Sequence, residues 1–130
     1  MTQSHNLLIT QDQALLSIRL NRPSVLNAMT DDLMRDLDAA LAGAQSDASV
    51  RAILITGEGR GFCAGADLAT SALAPSEAEE GASSSEAQAG AQRSEAKSAP
   101  HVADKLRLVF NPVIQRMRDM PKPIITSVNG

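Results

Sequence analysis

The feature that most constrains the fold is a short apolar segment, Ala52-Ile53-Leu54-Ile55, flanked by Arg51 and Thr56. It lacks the alternation of a strand with one face in water. An apolar run of this length suits a strand buried on both faces of a sheet that is covered by helices. Residues 124–128 predict another buried strand. These segments, alternating with helical patterns, predict an α/β fold of packed layers.

Two further strands are predicted near the N-terminus, over residues 7–10 and 15–20, with a turn at residues 11–13. In the second of them, Leu16, Ile18 and Leu20 share one face, while Ser17 and Arg19 share the other. The pattern indicates a half-buried edge or meander strand.

Two helical segments are also predicted. The first begins after Thr30, a suitable N-cap, and buries a stripe of leucines at four-residue spacing; Gly43 is its predicted end. The stripe consists of Leu33, Leu37 and Leu41. The second covers residues 106–117 but contains Pro112, so one helix is expected to end and another to begin at Asn111-Pro112, with Asn111 as the cap.

Between the globular segments lies a stretch of different composition. Residues 71–100 contain nine alanines, seven serines and five glutamates, and Leu73 is the only large apolar residue among them. Such a segment buries too little apolar area to offset its ordering entropy. The sequence therefore predicts one domain over residues 1–130, interrupted by a mobile surface loop at about residues 71–101.

Composition excludes several classes of protein. A net charge of -3 gives no basic surface for nucleic acid, and no apolar run is long enough to span a membrane. The N-terminal segment lacks the pattern of a signal peptide. Cys63 is the single cysteine, which excludes an internal disulfide framework. We therefore expect a cytoplasmic protein with neither a nucleic-acid nor a membrane partner.

The segment with most chemical information runs from Gly57 to Leu68, directly after the first buried strand. Its glycines and small residues leave main-chain groups uncovered, which suits an oxygen anion or a nucleotide edge. A P-loop is excluded because no Gly-Lys-Ser/Thr follows at the required spacing. A Rossmann turn matches loosely at Gly59, Gly61 and Ala64, but no strongly amphipathic helix follows. A glycine-rich turn without a ligand also fits these residues.

Four blocks together resemble the enoyl-CoA hydratase/isomerase (crotonase) family. Residues 21–29 resemble its "RPxxxNA" segment, and residues 51–57 with 61–68 resemble "vraxvltG…FcaGaDl". Residues 122–130 resemble "kPviaavnG". The blocks occur in the order that the family shows. The resemblance implies an incomplete crotonase-like spiral of ββα repeats, comprising the N-terminal half of a family chain.

The resemblance also implies a site for an acyl-CoA thioester. The main-chain N–H of Ala66 would be one donor of an oxyanion hole, which strengthens as negative charge develops on the thioester oxygen. Main chain near Val25 and Leu26, and the carbonyls of Ala64 and Ala66, would contact CoA, with Arg60 near a CoA phosphate. The predicted contact set is completed by Gly65, Asp67 and Leu68. No metal or further cofactor is implied, because CoA is part of the substrate.

The family pattern also implies what these residues lack. Its second oxyanion donor and catalytic carboxylates lie beyond the position of Gly130, so we expect a truncated and inactive chain of an enzyme that assembles as a trimer or hexamer. Residues 110–118 look most like members acting on phenylacetate-derived CoA thioesters, including ring-epoxide isomerases. An alternative is a non-catalytic short protein of this fold that binds CoA or a partner.

Other reactive side chains have structural explanations. Cys63 has no basic neighbour in sequence and is predicted to be a small buried thiol. His5 and His101 lack partners at metal-ligand spacing and are expected at the surface. Asp67 could act as an acid or base, but it is expected instead to cap a following helix or to fix the loop.

Overall fold

The computed structural model describes residues 4–67 and 106–130. In this part of the chain, four strands form one sheet in the order β1-β2-β3-β4. The strands are β1 (Leu7–Asp12), β2 (Leu15–Leu20), β3 (Ala52–Gly57) and β4 (Ile124–Ser127). β1 pairs with β2 antiparallel, whereas β2–β3 and β3–β4 are parallel. The mixed α/β class is therefore confirmed.

Two helices pack with this sheet. The helical elements are a 3-10 turn (Pro23–Val25), α1 (Asp31–Ser46), a π-helical turn (Leu106–Phe110) and α2 (Asn111–Asp119). Thr30 caps α1 as predicted, because its hydroxyl oxygen accepts from Leu33 N–H at 3.2 Å. The leucine stripe of α1 is buried against the inner face of β2 and β3. Each fully buried aliphatic side chain contributes about 1.5–3 kcal/mol.

The described residues cover only one of the two faces of the sheet. Along β3, buried residues alternate with half-buried ones, and on β4 Ile125 is 54% exposed. The predictions that β3 is buried on both faces and that β4 is a buried strand are wrong for these residues, because α1 and α2 cover a single face. Of the two alternatives for β2, the edge strand is wrong, since β2 lies between β1 and β3, whereas a meander strand fits its antiparallel pairing with the adjacent β1. The β1–β2 turn is shorter than predicted and centres on Gln13 (φ 51) and Ala14.

The predicted end of α1 at Gly43 is also wrong. The helix continues to Ser46, and the Asp47 N–H donates to Gly43 C=O at 3.1 Å. Lys122 stabilises this end, because its Nζ donates to the carbonyls of Ala44 (2.5 Å) and Asp47 (2.6 Å). A cation beside exposed C-terminal carbonyls complements the helix dipole. The cation that stabilises the C-terminal end of α1 therefore comes from a segment distant in sequence.

The predicted break at Pro112 is confirmed in position but not in detail. The π-helical turn passes directly into α2, whose N-cap is Phe110 without a side-chain cap bond, so Asn111 is the first helical residue rather than the cap. α2 is joined to α1 by a two-pronged ion pair between Arg116 and Asp38, with Nε–Oδ1 at 2.7 Å and Nη2–Oδ2 at 3.1 Å. The predicted loop at 71–101 lies outside the described residues.

Candidate functional site

The loop that follows β3 folds tightly back on itself. A Cβ at Gly57 would lie 2.5 Å from the carbonyl oxygen of Phe62 and 2.7 Å from that of Gly61. Gly59 has φ +82, and a Cβ there would lie 2.9 Å from Cβ of Pro23. Both glycines are therefore required by shape: one by a close approach of main chain, the other by left-handed backbone.

Asn27 links this loop to the segment before α1. Its side chain is fully buried, and its Nδ2 donates to the carbonyls of Glu58 (3.0 Å) and Gly61 (2.8 Å). Its Oδ1 accepts from Arg22 N–H at 2.8 Å. Leu26 and Asn27 both have positive φ, at 50° and 55°. The amide thus stabilises a backbone conformation that is uncommon for residues other than glycine.

A short parallel ladder joins residues 26–29 to residues 64–67. Ala64 N–H donates to Leu26 C=O (2.9 Å), Met29 N–H to Gly65 C=O (2.8 Å), and Asp67 N–H to Met29 C=O (2.8 Å). The Gly65 C=O, which accepts from Met29, and the N–H of Ala66 belong to one trans peptide and point in opposite directions. The N–H of Ala66 therefore points away from residues 26–29. Within the described ranges it has no hydrogen-bond acceptor.

Asp67 is held by Arg22. The Nη2–Oδ2 distance is 3.1 Å, the two side chains are 21% and 12% exposed, and Arg22 Nη1 also donates to Ala28 C=O. This ion pair fixes the residue next to Ala66, which agrees with the predicted loop-fixing role of Asp67. The possible capping of a following helix concerns residues outside the described ranges.

Asn129, two residues after β4, holds the same loop from another side. Its Oδ1 accepts from Gly57 N–H (3.2 Å) and its Nδ2 donates to Gly59 C=O (2.9 Å). Its main-chain carbonyl accepts from Phe62 N–H at 2.7 Å. Gly130 then packs on the loop, since a Cβ there would lie 2.8 Å from the carbonyl oxygen of Arg60.

The remaining predicted contact residues lie around this loop. Val25 is 43% exposed on the 3-10 turn, and Arg60 is also exposed. Ala64, Gly65 and Ala66 form an exposed strip, and nothing lies within 4 Å of a Cβ built on Gly65. The predicted set thus comes together on one loop and its neighbouring segment, apart from Leu68, which lies outside the described residues.

Cys63 is half-buried rather than buried, and its Sγ accepts from Gly65 N–H at 3.4 Å.

The chemistry that this loop offers is mainly that of its main chain. Its two carboxylates are both engaged in ion pairs, Glu58 with Arg19 (2.9 Å) and Asp67 with Arg22. Among the residues described, no group of three His, Cys, Asp or Glu is placed to hold a metal ion. An outward N–H at Ala66, on a loop fixed from several sides, is suited to an oxygen atom that gains negative charge.

Sequence reasoning missed the two asparagines that hold the loop. Asn27 and Asn129 both lie in the blocks that carry the family resemblance, but the resemblance does not say what their side chains bind. The available signal was the position of a polar amide directly before or after segments rich in small residues. The loop groups that these two asparagines bind are 31 to 72 residues away in the chain, so no local pattern reveals them.

Comparison with protein families identifies the family of this chain. Residues 10–104 match enoyl-CoA hydratase/isomerase. The chain belongs to the enoyl-CoA hydratase/isomerase family. The 1,2-epoxyphenylacetyl-CoA isomerase of Escherichia coli K12 is 30% identical over 119 residues, covering 92% of this chain and 38% of that protein. A Mycobacterium bovis protein named "Probable enoyl-CoA hydratase echA6" is 48% identical over 66 residues, covering 51% of this chain and 27% of its own length.

Solved structures show the same fold. EchA8_6, an enoyl-CoA hydratase of Mycobacterium marinum, is 32% identical with a TM-score of 0.65, covering 96% of this chain and 48% of that one. PA4980 of Pseudomonas aeruginosa has a TM-score of 0.71 at 28% identity, covering 100% and 46%. The crotonase fold is thus confirmed. The chain spans less than half the length of these relatives. In the described part of it, no helix is long and apolar enough to cross a membrane.

Proposed function

We propose that this chain binds an acyl-CoA thioester and directs the N–H of Ala66 at the thioester carbonyl oxygen, as part of an enzyme for hydration or double-bond isomerisation. The observation that carries the proposal is the outward N–H of Ala66, on a strip that is held to residues 26–29 through Ala64 N–H and Gly65 C=O. Family membership supplies the substrate class, a CoA thioester.

The chemistry explains why an N–H at this position matters. Adding a nucleophile to the β-carbon of an enoyl thioester, or removing a proton from a carbon conjugated with its carbonyl, moves an electron pair onto the thioester oxygen. A donor already in place gains strength as that charge develops and needs no reorganisation. Loss of one such donor costs about 10²–10³ in kcat in enzymes that use them.

The CoA moiety is proposed to lie along the exposed side of the same loop. Val25, the last residue of the 3-10 turn, and Leu26 contribute main chain, and the carbonyls of Ala64 and Ala66 lie on the exposed strip. Arg60 supplies an exposed cation for a phosphate. Gly65 leaves open space in front of the strip, while Asp67 fixes its end. Leu68, outside the described residues, completes the proposed contact set.

The whole enzyme's acid–base groups are proposed to lie outside these residues, since Glu58 and Asp67 are both ion-paired. The acyl group is proposed to derive from phenylacetate, on the basis of the Escherichia coli relative. A cytoplasmic trimer or hexamer is the proposed form of the enzyme, and light scattering of the purified protein tests that assembly. No metal or redox cofactor is part of the proposal.

The test removes a single N–H. Ligation at Cys63 allows residues 63–130 to be made with lactic acid in place of Ala66, which replaces that N–H by an ester oxygen. Binding is then measured for an acyl-CoA thioester and for the thioether in which CH₂ replaces the carbonyl. We expect the protein with an ordinary peptide bond at Ala66 to bind the thioester more tightly than the thioether by about 1 kcal/mol, the net value of one hydrogen bond. The Ala66 ester should lose that difference.

The matched control places malic acid at Asp67. That ester deletes the hydrogen bond from Asp67 N–H to Met29 C=O but leaves the N–H of Ala66 intact. The Asp67 ester disturbs the ladder more than the Ala66 ester does. It deletes one ladder hydrogen bond, whereas the Ala66 ester only weakens the Gly65 carbonyl as the acceptor for Met29 N–H. A thioester preference that persists in the Ala66 ester contradicts the proposed donor. Binding of CoA itself by the chain with an ordinary peptide bond at Ala66, with no preference for the thioester, favours the non-catalytic CoA-binding alternative.

A further inference from the structure

Two side-chain amides hold the glycine-rich loop from two different segments. Asn27 donates to the carbonyls of Glu58 and Gly61, and Asn129 donates to the carbonyl between them, that of Gly59. Asn129 also accepts from Gly57 N–H. Three carbonyls of one tight turn are thus bound by two neutral amides.

Asn27 also lies within the segment that forms the ladder to the exposed strip. Leu26 accepts from Ala64 N–H, and Met29 bonds to both neighbours of Ala66. Because Leu26 and Asn27 both have positive φ, their conformation depends on the contacts that hold them. A change at Asn27 therefore alters the turn at residues 58–61. It also alters the ladder with residues 26–29, which sets the direction of the Ala66 N–H.

We infer that Asn27 and Asn129 are positioning residues for the N–H of Ala66, an inference that rests on the proposed function. They bind the turn carbonyls without a formal charge. A carboxylate at either position would face those carbonyl oxygens and add a negative charge to the loop that carries Ala66, which opposes the charge that develops on the thioester oxygen. The amides thus fix the loop while leaving its field favourable for a developing oxyanion.

The experiment compares Asn27→Asp and Asn129→Asp with the wild-type chain. Each change keeps the oxygen that accepts a hydrogen bond and removes the amide donors. The readout is the carbonyl stretch of a bound short-chain 2,3-unsaturated acyl-CoA carrying ¹³C in the thioester carbonyl, because a well-aimed donor lowers that frequency. We expect a shift to lower frequency in the wild-type chain and loss of most of that shift in both variants.

Gln11→Glu is the matched control. Its Nε2 donates to the carbonyl of Gln13 at 3.0 Å, in the turn at the opposite end of the strands, so the same charge and the same kind of hydrogen bond change away from the loop. We expect it to retain the shift. If Asn27→Asp does not fold, Asn129→Asp decides the matter, since this residue is only half-buried.

The possible failures are distinguishable. If the wild-type chain binds no acyl-CoA, the proposed function is overturned and this inference with it. If the wild-type chain binds with a lowered frequency and the folded Asn variants keep the full shift, the inference alone is overturned. An equal loss of the frequency shift in Gln11→Glu also overturns the inference, because the loss would then follow from any added charge or any loss of stability.

Discussion

The glycine-rich loop and the helix–sheet core of this protein are held by different kinds of interaction. The core depends on apolar area: β2, β3 and the leucine stripe of α1 form one cluster of buried aliphatic side chains. The loop contributes little to that cluster and depends on individual hydrogen bonds from Asn27, Asn129 and the ladder with residues 26–29.

This difference predicts which substitutions each region tolerates. A hydrophobic contact is not directional, so the core accepts other apolar side chains of similar volume. A hydrogen bond to one carbonyl, or a glycine whose Cβ would meet main chain, has no such substitute. The predictions below test this contrast between an area-dependent core and an atom-dependent loop.

The largest effect is expected in the core. Ile53 is fully buried on β3, so Ile53→Ala should lower the free energy of unfolding by about 2–5 kcal/mol, through lost transfer energy and the cavity that remains. Ile53→Leu should cost less than about 1.5 kcal/mol if the core depends on volume. Urea titrations followed by circular dichroism measure both. Similar losses for the two variants would show that the core is as shape-dependent as the loop.

A pair of glycine substitutions should give effects of opposite sign. Gly57→Ala brings a Cβ to 2.5 Å from Phe62 C=O and should destabilise by about 1–3 kcal/mol, the cost of overpacking. Gly43→Ala meets nothing within 4 Å and lies inside α1, so it should stabilise by about 0.5–1 kcal/mol. Thermal unfolding measures the two shifts. A neutral Gly57→Ala would contradict the tight turn.

A smaller loss is expected at the end of α1. Lys122→Met removes the cation that binds the carbonyls of Ala44 and Asp47, which should cost about 0.3–1 kcal/mol at low ionic strength. Arg118→Met removes the same charge from an exposed position on α2 and serves as the control. Chemical denaturation at low and high salt measures the difference. Equal effects of the two changes would exclude a specific cap.

The smallest effect concerns pH. The hydroxyl of Ser49 donates to Asp47 Oδ1 at 2.7 Å and its N–H at 2.8 Å, and these bonds hold the pKa of Asp47 below its ordinary value. A lowered folded-state pKa stabilises the protein above the unfolded-state pKa, and this contribution disappears as pH falls through the folded-state pKa.

Ser49→Ala should therefore raise the pKa of Asp47, as followed by the carboxyl ¹³C shift in an NMR titration. The stability difference between wild type and Ser49→Ala should shrink in acid. A pKa of Asp47 that does not move in Ser49→Ala would contradict the role of the hydroxyl, whose hydrogen bond is the largest cause of the lowered pKa.

Sequence alone determined the features that depend on neighbouring residues. Strand β2, the cap at Thr30 and the stripe of Leu33, Leu37 and Leu41 follow from local spacing, because side chains recur every two residues on a strand and about every 3.6 on a helix. Strand β3 follows from a short apolar run. The family blocks also placed the candidate loop at residues 57–68. The predicted end of α1 failed because a single glycine costs only about 1 kcal/mol inside a helix.

Only the tertiary structure decided which sheet face the helices cover, how α1 ends and where the N–H of Ala66 points. Each depends on groups far apart in the chain: Lys122 with Ala44, Asn129 with Gly57, and Met29 with Gly65 and Asp67. A hydrogen bond needs its two atoms within about 3.5 Å, and local periodicity carries no information on which distant atoms meet. The loop's residues were therefore predictable, whereas its geometry was not.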